Sequence, residues 1–304
     1  MNISVVIPLF NKESLIQSCI FSIFEQSYLP SEIIIVNDGS TDSSLQKIQS
    51  FLASDENSKV KVSIINTPNR GVSAARNTGI KSATSDHIAF IDADDSWEKN
   101  YLQEMRNLIL KYPEINIYSC NHSLNIQNIG KRIVTTPFPE NFIGVIDFFE
   151  YASRYSVLNS SKVVIKKNIL NKINGFPEGI KYGEDLYVWI KISSLGKVAF
   201  INKSLVLINQ FTDNSRNSRN REVLYPLTQY TKKSVNGTPS LSSYLWILYR
   251  NSIMVKLKDS ERQASLKTLL CGFNIFGAKA LIFSPLFLLP NSLLLALYNT
   301  YKSK

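Results

Sequence analysis

The chain has 304 residues, 44% of them hydrophobic and 19% charged, so it can bury a sizeable core and global disorder is excluded. Its net charge of +10 is uneven: residues 197–304 hold 15 Lys/Arg against 4 Asp/Glu, and residues 1–196 hold 19 against 20. That asymmetry points to an anionic partner for the last third, either nucleic acid or a membrane surface.

An apolar run over 3–9 (ISVVIPL) begins without a basic leader or a cleavage site, so the domain is expected to start at the initiator Met and stay in the cytoplasm. A helical pattern covers 12–26. The strand-like run 32–37 (EIIIVN) leads into Asp-Gly-Ser-Thr-Asp, where Ser40, Thr41 or Asp42 caps a helix through Leu52. A third strand over 60–66 precedes a glycine-containing stretch, 69–79, that turns helical. A fourth, 87–92 (HIAFID), ends in an acidic cluster, with a helix from about 98 to 110. Four buried-type strands alternating with helices predict a parallel sheet covered on both faces, with ligands outside the carboxyl ends of its strands.

From 115 to 210 the pattern loosens. Strands are expected at 115–121 and 162–166, a helix at 184–195 and two short strands within 197–209. The polar stretch 212–222 (TDNSRNSRNRE) reads as a mobile loop or linker. Beyond it, 240–258 is aromatic and apolar with interspersed Lys and Arg, and 263–279 is an amphipathic helix. Residues 280–301 carry no charge, long enough to span a bilayer, but Pro285, Pro290 and Asn291 interrupt them. Short helices lying in the interface of an anionic membrane fit better. A buried helical hairpin is the other reading, and Trp246 and Tyr249 would equally serve a homodimer. The basic residues alternate with aliphatic runs, which suits lipid and argues against nucleic acid.

Three dispersed cysteines (Cys19, Cys120, Cys271) show no metal spacing, and two histidines (His87, His122) make a histidine-built site improbable. Any metal must be held by carboxylates, which favours Mg²⁺ or Mn²⁺. The candidates are in Asp92-Ala93-Asp94-Asp95 at the end of the fourth strand, where Asp94 is the preferred ligand and Asp92 reaches ribose or metal. A solvated acidic turn capping the next helix would look the same in isolation. Asp38, ending the second strand, offers an acceptor to the N3–H of uracil, or merely a turn. Asn69-Arg70-Gly71 with Ala74-Ala75-Arg76-Asn77-Thr78-Gly79 permits close backbone approach and an Arg–phosphate contact, without P-loop or dinucleotide-fold spacing. Gly183-Glu184-Asp185 with Trp189 one turn on offers a base and a sugar-stacking ring, or two acids at a helix N-terminus.

Taken in order, Val6-Ile7-Pro8-Leu9-Phe10-Asn11 with Glu13, VNDGSTD from Val36, the N-R-G…A-A-R-N-x-G run, DADD before Trp97, and GED before Trp189 resemble family 2 of the inverting glycosyltransferases, over roughly residues 2–215. The resemblance implies an α/β GT-A fold in a catalytic domain, 1–215, with a helical, basic-apolar region, 216–304, that associates with membrane or dimerises. It implies a nucleotide pocket lined by Pro8, Phe10, Asn11, Glu13 and Asp38, and a donor bordered by Asn69, Gly71, Ala75 and Arg76. Asp92, Ala93 and Asp94 would be its DxD motif, holding ribose, metal and diphosphate. Asp185 would be the catalytic base and Glu184 would position the acceptor. The implied reaction is a single inverting displacement from a nucleotide sugar, by family habit a UDP-sugar. The histidine that many relatives carry after the last strand is absent from 210–216, leaving Arg216 or Arg219 for the diphosphate. The QxxRW motif of processive synthases is also absent.

The expectation is therefore a metal-dependent transferase acting on a lipid-linked (undecaprenyl-diphosphate) glycan in surface-polysaccharide or O-antigen assembly, peripheral on the inner face of the cell membrane. The alternative is a non-catalytic nucleotide-sugar or glycan-binding module on the same fold. Acceptor choice is assigned to loops in 120–180.

Overall fold

The computed structural model describes residues 1–54, 60–210, 222–259 and 261–302. Residues 212–221 of the expected linker, Arg216 and Arg219 among them, lie outside the described residues. The described residues divide into two units. The first comprises Met1–Gly179 and Val188–Thr212, the second Ile180–Tyr187 and Asp213–Lys304.

The first unit is built on one sheet. Strands β1 (Ile3–Leu9) and β2 (Glu32–Asp38) are buried at all seven positions, which is why their apolar residues follow one another without alternation. β1 runs parallel to β2 on one side and to β4 (His87–Phe90) on the other, with Val6 opposite both Ile34 and Phe90. β3 (Lys61–Thr67) extends the parallel set beyond β2. Helices α1 (Ile16–Phe24), α2 (Ser44–Ser54) and α3 (Val72–Ser82) make the crossovers. Asp42 is the cap before α2: its Oδ1 accepts from the Ser44 N–H at 2.9 Å.

After β4 come the two-residue β5 (Ser96–Trp97), α4 (Tyr101–Lys111), β6 (Ile117–Ile126), β7 (Gly130–Ile133) and β8 (Ile143–Ile146). Then follow α5 (Phe148–Tyr151), β9 (Val163–Lys166), α6 (Lys167–Lys172), α7 (Glu184–Ser193) and β10 (Val198–Gln210). The strand order is β3-β2-β1-β4-β9-β6-β10-β5, with β9 antiparallel to both β4 and β6. α4 buries Tyr101, Leu102, Met105, Leu108 and Ile109, one helical face laid on the sheet. Trp97 stacks on Tyr101 with ring centres 4.2 Å apart.

Two sequence expectations change here. The segment 197–209 is one strand, β10, bent by register shifts between Ile201 and Ser204 and between Ser204 and Leu207, instead of two. β7 and β8 were not expected. β7 (GKRI) is exposed at every residue, so no buried face imposes a period on its sequence.

The second unit is helical. Tyr225–Gln229 and Lys232–Val235 are short, Pro239–Lys258 and Arg262–Phe276 are long, and the 3₁₀ segment Gly277–Leu288 precedes Asn291–Lys302. Tyr249 is fully buried at the centre and its hydroxyl donates to the Ala280 carbonyl at 2.9 Å. Pro290 separates the last two elements, whereas Pro285, also expected to interrupt the stretch, lies inside the 3₁₀ segment. By length and composition alone, Arg262–Leu288 is apolar enough to cross a membrane: an 18-residue stretch of it has mean hydropathy 1.6, and 22% of that stretch is buried.

Candidate active site

The sheet reverses its winding between β1 and β4, since β1 leads outward to β2 and β3 while β4 lies on its other flank. Loops leaving the carboxyl ends of such neighbouring strands diverge and open a crevice. The loops that carry Asn11, Asp38, Gly71 and Asp92 follow the carboxyl ends of β1, β2, β3 and β4 in turn.

The loop after β1 is tied to the loop after β2. The Asn11 backbone adopts φ 50°, and its side-chain oxygen accepts from the Thr41 N–H at 2.8 Å. Glu13 Oε2 accepts from the Ser43 N–H at 3.0 Å, and Asp42 Oδ2 accepts in return from the Glu13 N–H at 3.1 Å. Phe10 stands exposed at the lip, 43% accessible, while Pro8 is buried within β1. Asn11 and Glu13 thus brace the crevice wall, and Phe10 is the side chain that faces outward.

Asp38 is only 3% exposed, and its carboxylate accepts from the Arg70 N–H at 3.0 Å and the Gly71 N–H at 2.7 Å. It holds the Asn69-Arg70-Gly71 turn that opens α3. Gly71 has φ 91°, a conformation a side chain would strain, and this accounts for glycine there. Within α3, Ala75 is buried and lets the backbone pack closely.

Arg76 follows one residue on, with 4% of its side chain exposed. Its Nη2 lies 2.8 Å from Asp92 Oδ1, and its guanidinium sits 5.1 Å above the Phe176 ring. Across the crevice the Lys12 ammonium lies 2.7 Å from Asp94 Oδ2. The first two aspartates of DADD therefore each face a cation, and both remain partly exposed, at 33% and 26% of the side chain. Ala93 between them is buried.

The fourth residue of the cluster turns inward. Asp95 is 5% exposed; its Oδ2 accepts from Ser161 Oγ at 2.5 Å and its Oδ1 from the Asn209 N–H at 2.9 Å. Burial, followed by the charge of Asp92, pushes the Asp95 carboxyl well above the usual carboxylate range, while the Ser161 bond opposes the rise. Ser161 Oγ also accepts from the Asp92 N–H at 3.0 Å, and its carbonyl accepts from Trp97 Nε1 at 2.7 Å. Asn209 Nδ2 donates to the Asp94 carbonyl at 2.5 Å. Ser161 and Asn209, from sequence-distant segments, fix the backbone that presents Asp92 and Asp94.

Could this group hold a divalent cation? Among the described residues no cluster of three or more His, Cys, Asp or Glu is poised for one. The pair Asp92 and Asp94 supplies hard oxygen donors two residues apart, and each keeps one carboxylate oxygen without a partner among the described residues. Two carboxylates with open positions fit an ion that shares its shell with substrate phosphates.

The remaining candidates belong to the second unit, apart from Trp189. Gly183, with φ 83°, starts the turn, and an added Cβ there would lie 2.6 Å from the Leu224 side chain. Glu184 and Asp185 open α7, where acids favour the helix N-terminus, and Asp185 Oδ1 accepts from the Leu186 N–H at 2.6 Å. Together they line a cavity of about 340 Å³, closed on its other side by Leu248, Asn251, Ser252 and Lys256 of Pro239–Lys258. Tyr244 of the same helix has its hydroxyl pushed up by burial and then by the charge of Asp185.

Trp189 is a correction. It is 2% exposed and meets Phe176 edge-on at 6.1 Å, so its ring offers no face to a sugar and works in the core. Sequence reasoning also missed Lys12, Ser161 and Asn209. Lys12 had a signal, standing between Asn11 and Glu13; Ser161 and Asn209 had none.

Residues 4–158 match Glycosyl transferase family 2. Over 213 residues the chain is 32% identical to Glycosyltransferase GlyA of Streptococcus pneumoniae, covering 67% of this chain and 30% of that protein. It thus spans under a third of that relative's length. It is 27% identical over 200 residues to WfgD of Escherichia coli, the UDP-Glc:alpha-D-GlcNAc-diphosphoundecaprenol beta-1,3-glucosyltransferase, covering 66% of this chain and 73% of WfgD. The crystal structure of S. aureus TarS 1-349 superposes with a TM-score of 0.69 at 19% identity, covering 92% of this chain and 82% of that one, and that protein is also known in complex with UDP. The mixed sheet is the GT-A fold, and the chain belongs to glycosyl transferase family 2.

Proposed function

We propose that the protein transfers a sugar, with inversion, from a nucleotide sugar to a hydroxyl of a lipid-linked glycan during surface-polysaccharide assembly. The observation that carries this reading is the pair Asp92 and Asp94 beyond the carboxyl end of β4, each partly exposed and each facing a cation, Arg76 or Lys12. A UDP-sugar is favoured, supported by the UDP complex of TarS. The lipid-diphosphate acceptor is supported by the activity named for WfgD.

Each residue then has a task. Asp38, its carboxylate taken up by the Arg70 and Gly71 N–H groups, keeps the turn beside the nucleotide in place instead of reading the base itself; Phe10 covers the nucleotide. Arg76 and Lys12, released from the aspartates, balance phosphate charge. Asp92 and Asp94 would hold Mn²⁺ or Mg²⁺, which neutralises the diphosphate leaving group when bound. Asp185 takes the proton of the attacking hydroxyl, and Glu184 orients the acceptor. Residues 1–215 carry the reaction, and 216–304 place the protein against the inner face of an anionic membrane.

The test is nucleoside diphosphate release from a panel of nucleotide sugars, with and without Mn²⁺, in the presence of a lipid-diphosphate sugar. Turnover that needs donor, acceptor and metal supports the reading. Donor binding without turnover in any combination favours a non-catalytic module.

A further inference from the structure

The cavity beside Asp185 has walls that belong entirely to the second unit. Its volume of about 340 Å³ is near the lower limit for small-molecule sites, which run from roughly 300 to 1,000 Å³. Such a volume suits one sugar ring better than a long oligosaccharide. One wall is the Gly183-Glu184-Asp185 turn, with two carboxylates and the phenol of Tyr182; the other is a polar stripe, Asn251, Ser252 and Lys256. Carboxylates and amides facing donors across an aromatic side chain are the chemistry of a polyhydroxyl ligand, which both donates and accepts.

Lys256 is the residue the fold least explains otherwise. It is 1% exposed, and no carboxylate of the described residues lies within ion-pair distance. Its Nζ has one hydrogen bond, to Ser252 Oγ at 3.0 Å, and lies 5.6 Å from the Tyr182 ring centre. Both neighbours line the cavity, so the amine sits at its wall. An ammonium has three donors, and burying it with two unspent is costly. Burial lowers its pKa to about 8, with Asp259 acting in the opposite sense, so it is still mostly a cation at neutral pH.

We infer that this cavity seats the terminal sugar of the acceptor glycan, with Lys256 donating to a ring substituent and Asp185 facing the hydroxyl that attacks. The inference rests on the transferase reading above. It moves acceptor choice from the loops of 120–180 to the helix Pro239–Lys258. An anionic group is a poorer occupant, because Glu184 and Asp185 would repel it.

The experiment uses full-length protein and two probes: a short-chain lipid diphosphate bearing one N-acetylhexosamine, and the same lipid diphosphate without sugar. Lys256→Met should raise the KM for the sugar-bearing acceptor about tenfold or more, with the donor KM changed less than twofold. Val255→Phe, which narrows the cavity from its apolar side, should do the same and covers the case in which Lys256→Met fails to fold. Inhibition by the sugarless lipid should be equal for wild type and variants. Wild-type turnover with an unchanged acceptor KM in both variants overturns the cavity assignment and leaves the transferase reading standing. Equal weakening toward the sugarless lipid also overturns it, since Lys256 would then read phosphate. A wild type that turns over no donor contradicts the transferase reading itself.

Discussion

Arg76 and Asp92 form an ion pair, Nη2 to Oδ1 2.8 Å, in which the arginine is buried and the aspartate is not. The pair joins the middle of α3 to the loop just after β4. Removing the guanidinium leaves a carboxylate uncompensated and the Phe176 ring uncovered. Arg76→Ala should cost about 2–3 kcal/mol of stability, below the full cost of breaking a wholly buried pair because Asp92 reaches solvent. Denaturant unfolding measures this. Arg76→Lys restores charge without the planar fork and should recover only part of the loss.

Ser161 acts through its neighbours. Its hydroxyl serves both Asp95 and the Asp92 N–H, so Ser161→Ala strands two polar groups in a dry place. A loss of about 1–3 kcal/mol is expected, with nucleotide-sugar affinity falling alongside because Asp92 loses its anchor. Calorimetric titration of the folded variant with UDP separates the two effects; unchanged affinity would confine Ser161 to stability.

Lys162 gives a pH prediction. It is fully buried, bonded to His122 Nδ1 at 3.1 Å and to the Ser156 carbonyl, and burial lowers its pKa to about 7 from an ordinary value of 10.5. A lysine whose pKa is lower folded than unfolded destabilises in full below pH 7, and the penalty fades as pH rises toward 10.5. Lys162→Met abolishes that dependence. The melting temperature of the variant relative to wild type should therefore fall steadily between pH 7 and pH 10. A difference independent of pH would contradict the account.

The second unit predicts a lipid effect. Leu266, Leu270 and Phe273 are exposed at 51%, 59% and 46% with helical i, i+4, i+7 spacing, in the most basic third of the chain. Flotation with anionic liposomes should show binding that weakens with salt. Leu270→Asp with Phe273→Asp should reduce it at least tenfold, given about 1.5–3 kcal/mol for each buried large apolar side chain. Binding that survives the double substitution would remove this face from the membrane reading. A mass that rises with concentration would assign the face to a second copy.

The parallel half of the fold was legible because β1 and β2 are buried along their whole length and β4 at three of its four residues, which leaves apolar residues in succession without alternation. The DADD cluster was legible because a strand ends in it. Less could be read where tertiary contacts set the outcome. Trp189 looked like a ligand platform from its spacing to Asp185, but Phe176 claims its ring. β7 has no buried face to write a pattern. Ser161 and Asn209 converge on the cluster from sequence positions 66 and 115 residues away from Asp95 and Asp94 respectively, a proximity no local pattern encodes.

The proposed role of Asp185 as the base of a nucleotide-sugar transferase carries the chemistry. Its most direct test compares wild type with Asp185→Asn in nucleoside diphosphate release, using the wild type's best nucleotide sugar and the lipid-diphosphate sugar. With Asp185 as the base, kcat falls by about 10²- to 10⁴-fold with the donor KM nearly unchanged. Full activity in Asp185→Asn would contradict it.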